Sequence, residues 1–171
     1  MHFSGHGSPS SEIVLQNDTG TEFTVPPEAL SNLFSQFSDN IHCVVLNACY
    51  SRTQAEAIAE HIDSVIGMDD TITDKAAIVF SSAFYQALGY GRSIQSAFNL
   101  ACNQIQMKGL DEHGIPQLLS QNVNVDNIIL QPIESHDEVT EIQVQIATTL
   151  FDALCNSHSF EFLGVCSHPF Q

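Results

Sequence analysis

The hydrophobic positions of this chain form short apolar runs that alternate with longer segments in which apolar residues recur every three or four positions. Residues 41–48 are the clearest run, and 64–68 form another. A third run begins the chain and ends in a Gly-rich turn. Nearly continuous apolar runs of this length are typical of strands covered on both faces of a parallel sheet.

The segments between these runs predict a β-hairpin and four helices. The hairpin pairs residues 13–15 with 23–25 across a polar turn that contains Gly20. Pro27 and Glu28 favour a helix start, Gly89 favours a helix end, and Ser93 is a typical N-cap. The predicted helices cover 27–39, 53–61, 74–88 and 93–107, and a last strand is predicted at 128–130.

Strands that alternate with helices in this order predict an α/β fold, a three-layer sandwich with a mainly parallel sheet. The composition changes near residue 134. We therefore expect a domain over 1–133 and a C-terminal helical appendage over 134–171, with a helix at 138–154.

Charge narrows the choice of partners. Four Lys and Arg residues stand against 20 Asp and Glu residues, a formal net charge of −16. Nucleic acid and anionic membrane surfaces would repel such a chain, whereas cationic peptides would be attracted. No apolar run is long enough to cross a membrane, and the N-terminus does not resemble a signal peptide. The five cysteines are therefore expected to be reduced thiols in the cytoplasm.

Two of the apolar runs end at reactive side chains. His2–Ser8 contains His6 between two glycines, and Val44–Ser51 contains Cys49 just before a predicted helix. Neighbouring parallel strands end at the same edge of a sheet, so the imidazole and the thiol could meet there. A cysteine nucleophile and its base require that arrangement.

The glycines beside His6 would allow a peptide backbone to approach closely. The backbone N–H groups of Gly7 and Cys49 could then form an oxyanion hole. The alternative is that Cys49 is a buried structural thiol and His6 an ordinary surface or core residue.

These segments resemble the caspase-like cysteine peptidases of clan CD, and most closely the CHAT domains that are common in bacteria. The resemblance covers 1–130, and the spacing between His6 and Cys49 is near the roughly 50 residues known from caspases. Further CHAT-like features follow in the same order: Gly67–Asp70, Ala76, Ala77, Phe80, Phe84 and Gly91–Ser93.

The resemblance implies a cysteine endopeptidase in which Cys49 is the nucleophile and His6 its partner, without a cofactor. Asp69 and Asp70 are similar to the paired acids with which metacaspases bind a basic P1 side chain, so they are candidates for substrate binding. The alternative is that Asp70 or Asp74 caps the following helix. The caspase motif Gln-Ala-Cys-x-Gly is absent around Cys49, so aspartate specificity is not implied.

Caspase-like domains have at least one strand and one helix before the His strand, which predicts that the fold here lacks these N-terminal elements. A truncated or degenerate CHAT domain that acts as a non-catalytic signalling or interaction module is therefore the alternative function. Regulatory partner domains are a further possibility. In the appendage, Cys155, His158, Cys166 and His168 could form a zinc site, but their spacing is atypical and no metal is expected.

Overall fold

The computed structural model describes residues 1–120, which form seven strands and four helices. The predicted strand at 128–130, the helix at 138–154, the boundary near 134 and the cysteines and histidines of the appendage lie outside the described residues. The elements are β1 His2–Ser4, β2 His6–Gly7, β3 Ile13–Gln16, β4 Glu22–Val25, α1 Pro27–Ser35, β5 Cys43–Asn47, α2 Arg52–Ile58, β6 Ser64–Met68, α3 Asp74–Gly89, α4 Ile94–Met107 and β7 Pro116–Leu119.

The main sheet has the strand order β1-β5-β6-β7. β1, β5 and β6 are parallel, and β7 is antiparallel to β6. Ser4 pairs with Asn47 at the carboxyl ends of β1 and β5. The segments that follow these two strands therefore leave the sheet at the same edge.

Two hydrophobic cores lie on opposite faces of this sheet. Val44 and Leu46 of β5 belong to the core formed with α1 and α2, whereas Cys43 and Val45 belong to the core formed with α3 and α4. All five residues of β5 are buried. This arrangement confirms the predicted α/β sandwich with a mainly parallel sheet and is compatible with a caspase-like fold.

A second sheet, β2-β3-β4, is antiparallel. The β3–β4 hairpin confirms the prediction, and the side chain of Asn17 stabilises its turn by accepting backbone N–H bonds from Thr19 and Thr21. β2 pairs with β3 rather than continuing β1. The chain thus leaves the main sheet at Gly5, immediately before His6.

Strand β7 was not predicted from the sequence. It begins with Pro116, which has no backbone N–H for a sheet ladder, and its short sequence has no alternating pattern. Helix α1 ends at Ser35, earlier than predicted, because Gln36 and Phe37 turn back to the carbonyls of Leu33 and Phe34.

The bounds of the other helices are close to those predicted. α2 spans Arg52–Ile58 and is shorter than the predicted segment. α4 begins after Ser93. The Ser93 hydroxyl accepts the Ser96 N–H at 3.2 Å, as expected of an N-cap. Within residues 1–120, no helix has both the length and the apolar character needed to cross a membrane.

Candidate active site

The segment that contains His6 lies directly against the segment that contains Cys49. The backbone N–H of Gly5 donates to the carbonyl of Asn47 at 3.3 Å. Two residues later, a Cβ atom at Gly7 would lie 1.7 Å from the Cys49 carbonyl oxygen and 2.8 Å from its carbon. Only glycine allows two backbones to approach so closely. Both neighbours of His6 are thus in contact with the 47–49 segment.

The two candidate catalytic side chains differ in exposure. The His6 side chain is exposed, whereas Cys49 is half-buried and packs against the core beneath α3 and α4. The Cys49 thiol donates a weak hydrogen bond to the Ile72 carbonyl, with an Sγ–O distance of 3.7 Å. Within residues 1–120, no hydrogen bond joins the His6 ring to this thiol. Such contacts are often long before substrate binds.

Tyr50 follows Cys49 with a φ of +56°, in the left-handed region that bulky residues seldom occupy. Its N–H donates to the Asp70 carbonyl at 3.4 Å, and its hydroxyl accepts from Thr71 Oγ1 at 2.7 Å. Strain of this kind persists where the surroundings hold it, and it is frequent at functional sites. Nothing in the sequence pattern predicted this conformation.

Ser51 and Asn47 fix the end of β5. The buried hydroxyl of Ser51 donates to the Leu46 carbonyl and accepts from the Met68 N–H, both at 3.0 Å, so it joins the ends of β5 and β6. Asn47 Nδ2 donates to Ser81 Oγ of α3 at 3.1 Å. Both residues stand in the motif that contains Cys49, but sequence reasoning gave them no role.

The predicted pair Asp69 and Asp70 lies beside Tyr50 and Arg52, and both acids are exposed. Asp69 Oδ1 is 2.9 Å from Arg52 Nη1, an ion pair that sequence reasoning missed. Asp70 Oδ1 accepts the Thr71 N–H at 2.6 Å. The two carboxylates therefore differ, because one already has a cationic partner.

The alternative role for the acids, capping of α3, is wrong. Thr73 is the N-cap, and its hydroxyl accepts from the Ala76 N–H at 3.3 Å. Glu112 in turn accepts from the Thr73 N–H at 2.6 Å and from its hydroxyl at 3.1 Å. Glu112 thus holds the loop whose Ile72 carbonyl receives the Cys49 thiol.

Two other cysteines are described, Cys43 and Cys102. Burial raises the pKa of each to about 11, so both thiols stay protonated near pH 7. A protonated thiol is a poor nucleophile. Neither lies at the carboxyl edge of the sheet, since Cys43 begins β5 and Cys102 lies in α4.

Metal binding has no candidate in the described part of the chain. Residues 1–120 contain no group of three or more His, Cys, Asp or Glu side chains that could hold an ion.

The sequence of this chain is similar to those of known proteases. No family model matches the chain. A Roc-COR-CHAT protease from an unknown prokaryotic organism is 26% identical over 120 residues, which cover 67% of this chain and 11% of that protein. The chain is related to CHAT-domain proteases.

A second relative is a probable protease from Gillisia limnaea (strain DSM 15749 / LMG 21470 / R-8282). It is 23% identical over 110 residues, which cover 62% of this chain and 20% of that protein. The chain thus spans about a tenth of the length of the first relative and a fifth of the length of the second.

Proposed function

We propose that this chain carries the active site of a CHAT-type, caspase-like cysteine endopeptidase, with Cys49 as nucleophile and His6 as its acid–base partner. The close contact between Gly7 and Cys49 is the observation that carries the proposal, because it sets the histidine segment against the cysteine segment. The names of the two relatives, both proteases, support the same reaction class. Protein or peptide substrates follow from that class.

In the proposed reaction, His6 accepts the proton of the Cys49 thiol, and the thiolate attacks the carbonyl carbon of the scissile peptide bond. The negative charge that forms on the carbonyl oxygen would be stabilised by the backbone N–H groups of Gly7 and Cys49. His6 then gives a proton to the departing amine, and an acyl-thioester remains on Cys49. Water attacks the thioester as His6 accepts its proton, and the acid product is released. His6 then returns that proton to the Cys49 sulfur, which restores the thiol.

Several features favour this role for Cys49. It follows a fully buried strand, and its thiol is half-buried at the edge where His6 also lies. Ser51, Tyr50 and the Glu112–Thr73 contact brace the surrounding loops. A rigid scaffold beneath exposed loops is the usual setting of a catalytic site.

We further propose that Asp69 or Asp70 gives the site a preference for Arg or Lys at P1. Asp70 is the better candidate, because Asp69 is paired with Arg52. A cytoplasmic, bacterial setting with regulatory partner domains belongs to the same proposal, and the prokaryotic origin of the CHAT-protease relative supports the bacterial part of it.

The test is covalent labelling of the full chain by peptidyl acyloxymethyl ketones with Arg, Asp or Leu at P1. Such probes accumulate on the nucleophile even when turnover is slow. We expect labelling of Cys49, lost in Cys49→Ala and strongly reduced in His6→Ala. Cys102→Ala is the matched control and should label like the wild type.

Labelling that persists in Cys49→Ala would overturn the nucleophile assignment. A folded wild-type chain that no probe labels would favour the alternative, a non-catalytic signalling or interaction module.

A further inference from the structure

One surface groove collects most of the exposed apolar side chains in the described part of the chain. Among residues 1–120, five large hydrophobic residues are exposed, and four of them line a groove of about 570 Å³ between α3 and α4. Isolated exposed apolar residues are common, but a contiguous set marks an interaction surface. The four are Ile78, Tyr90, Leu100 and Met107, which are 49% to 78% exposed.

The charged residues that line the groove are cations, whereas the net charge of the whole chain is negative. Arg92 and Lys108, two of the four cations in the chain, line it. No Asp or Glu is among the described residues that line it, although the chain has 20 acids. The two cations flank α4, whose 14 residues span about 21 Å. An apolar groove with a cation at each end fits an amphipathic helix with acidic flanks.

The chain itself contains a segment of this chemistry. Residues 138–154 were predicted to be helical, and Val139, Ile142, Ile146 and Leu150 recur at helical spacing. In a helix, Glu138 would lie beside that apolar stripe, and Glu141 and Asp152 would lie on the adjoining polar face. Glu138 and Asp152 would then be about 21 Å apart, a distance close to the length of α4.

We propose that residues 138–154 bind the groove between α3 and α4 as an amphipathic helix of the same chain. Residues 121–171 contain seven acids and no Lys or Arg, so this part of the chain complements Arg92 and Lys108. The appendage would then cover an apolar surface that the sandwich leaves exposed. This inference does not depend on the proposed peptidase activity.

The connection between groove and segment is long enough. β7 ends at Leu119, and Leu118 packs against the same core as α3 and α4. The 17 residues from 121 to 137 reach up to about 56 Å when extended, well beyond the length of α4. Tethering gives an effective concentration in the millimolar range, so a weak contact suffices for occupancy.

The first experiment is photo-crosslinking in the full chain, with p-benzoylphenylalanine at Leu100. Phe23 is the matched control, since it is also exposed but lies on β4. Mass spectrometry of a mixture of ¹⁴N- and ¹⁵N-labelled chains separates crosslinks within one chain from those between two. We expect crosslinks to 138–154 within one chain, at about ten times the yield from position 23.

Crosslinks between isotopically different chains would overturn the proposal in favour of a second copy as occupant. A yield to 138–154 no higher than from position 23 would also overturn it.

The second experiment reverses charge. Arg92→Glu combined with Lys108→Glu should lower the crosslink yield about fivefold, the size expected for two partly exposed ion pairs. Lys75→Glu, on α3 but outside the groove, is the matched control and should change nothing. Adding Glu138→Lys and Asp152→Lys to the double variant should restore the yield.

An unchanged yield in the double variant, an equal loss in Lys75→Glu, or no recovery after the charge swap would contradict the assigned contact. Circular dichroism verifies that each variant is folded. Raising NaCl from 0.05 to about 0.5 M provides a test without any substitution, and it should lower the wild-type yield.

Discussion

At the scale of single residues, the candidate site depends on a glycine, Gly7, because any side chain at this position would clash with the Cys49 backbone. Gly7 lets the histidine segment touch the Cys49 backbone, and Tyr50, the residue after Cys49, takes a left-handed conformation. Both features concern backbone geometry within two residues of a proposed catalytic group. Substitutions here should therefore affect reactivity more than their small size suggests.

The substitution Gly7→Ala should disrupt the site. Its Cβ would lie 1.7 Å from the Cys49 carbonyl oxygen, so one of the two segments has to move. We expect a loss of about 1–3 kcal/mol in the free energy of unfolding, as for other overpacked positions, and at least a tenfold slower labelling of Cys49. Urea titration and the acyloxymethyl ketone probes measure the two effects.

Gly114→Ala is the control, because a Cβ there meets nothing within 4 Å. If Gly7→Ala labels as fast as Gly114→Ala, the close contact has no part in the site.

The two candidate acids should differ in their effect on P1 preference. Asp70→Asn should lower the ratio of Arg-P1 to Leu-P1 labelling about tenfold, whereas Asp69→Asn should change it little, because Arg52 already neutralises Asp69. Arg52→Gln should raise the ratio, since it frees the Asp69 carboxylate. If all three variants keep the wild-type ratio of Arg-P1 to Leu-P1 labelling, neither acid contributes to P1 preference.

At the scale of elements, the site edge is held by contacts that run between strands and helices. Ser51 joins β5 to β6, Asn47 joins β5 to α3, and Glu112 joins the β7 loop to the start of α3. At the other end of β1, His2 Nδ1 is 2.7 Å from the Tyr85 hydroxyl of α3. Each of these contacts is polar and lies beside a buried core. Loss of a partner, or a change in the protonation of a titratable group such as His2, should therefore lower the stability of the fold.

The His2–Tyr85 contact predicts a pH dependence of folding. Burial, followed by the positive charge of the Met1 amine, lowers the pKa of His2 to about 4, below the value near 6.5 expected for an unfolded chain. Between these values the unfolded state binds the proton and the folded state does not, so stability falls as pH drops from about 6.5 to about 4. For this half-buried group we expect a loss of about 2 kcal/mol.

Chemical denaturation at several pH values would test this in wild type and His2→Gln. The carboxylates titrate in both chains, so the difference between the two curves isolates His2. Parallel curves would show that His2 does not contribute.

At the scale of the whole molecule, the chain carries a formal net charge of −16. Such a field raises the local concentration of cationic ligands and speeds their association. This long-range attraction does not depend on the position of the cation in the ligand, so it is distinct from recognition of a basic P1 side chain by Asp69 or Asp70. The α3–α4 groove is the exception in this field, with two cations and no described acid on its walls.

This field predicts a salt dependence of labelling. A Leu-P1 probe that carries Lys residues distant from P1 should label Cys49 at least about threefold more slowly at 0.5 M than at 0.05 M NaCl, because salt screens the attraction. An uncharged Leu-P1 probe is the control and should label at nearly the same rate. Equal salt slopes for both probes would argue against steering by the net charge.

Local sequence predicted those elements whose signals are local. The continuous apolar run of β5, the Ser93 cap of α4 and the polar turn between β3 and β4 each act through neighbours in the chain. The resemblance to CHAT domains likewise rests on short motifs around His6 and Cys49, and the relationship to CHAT-domain proteases agrees with it.

What only the tertiary structure decided are contacts between residues far apart in sequence. The strand β7 exists because β6 offers it a partner, since its own sequence begins with proline and does not alternate. The touching backbones of Gly7 and Cys49, the pairing of Arg52 with Asp69 and the hold of Glu112 on Thr73 are of the same kind. The sequence thus determined which residues could do chemistry, and packing decided which of them meet, because meeting depends on the close approach of segments that no local pattern encodes.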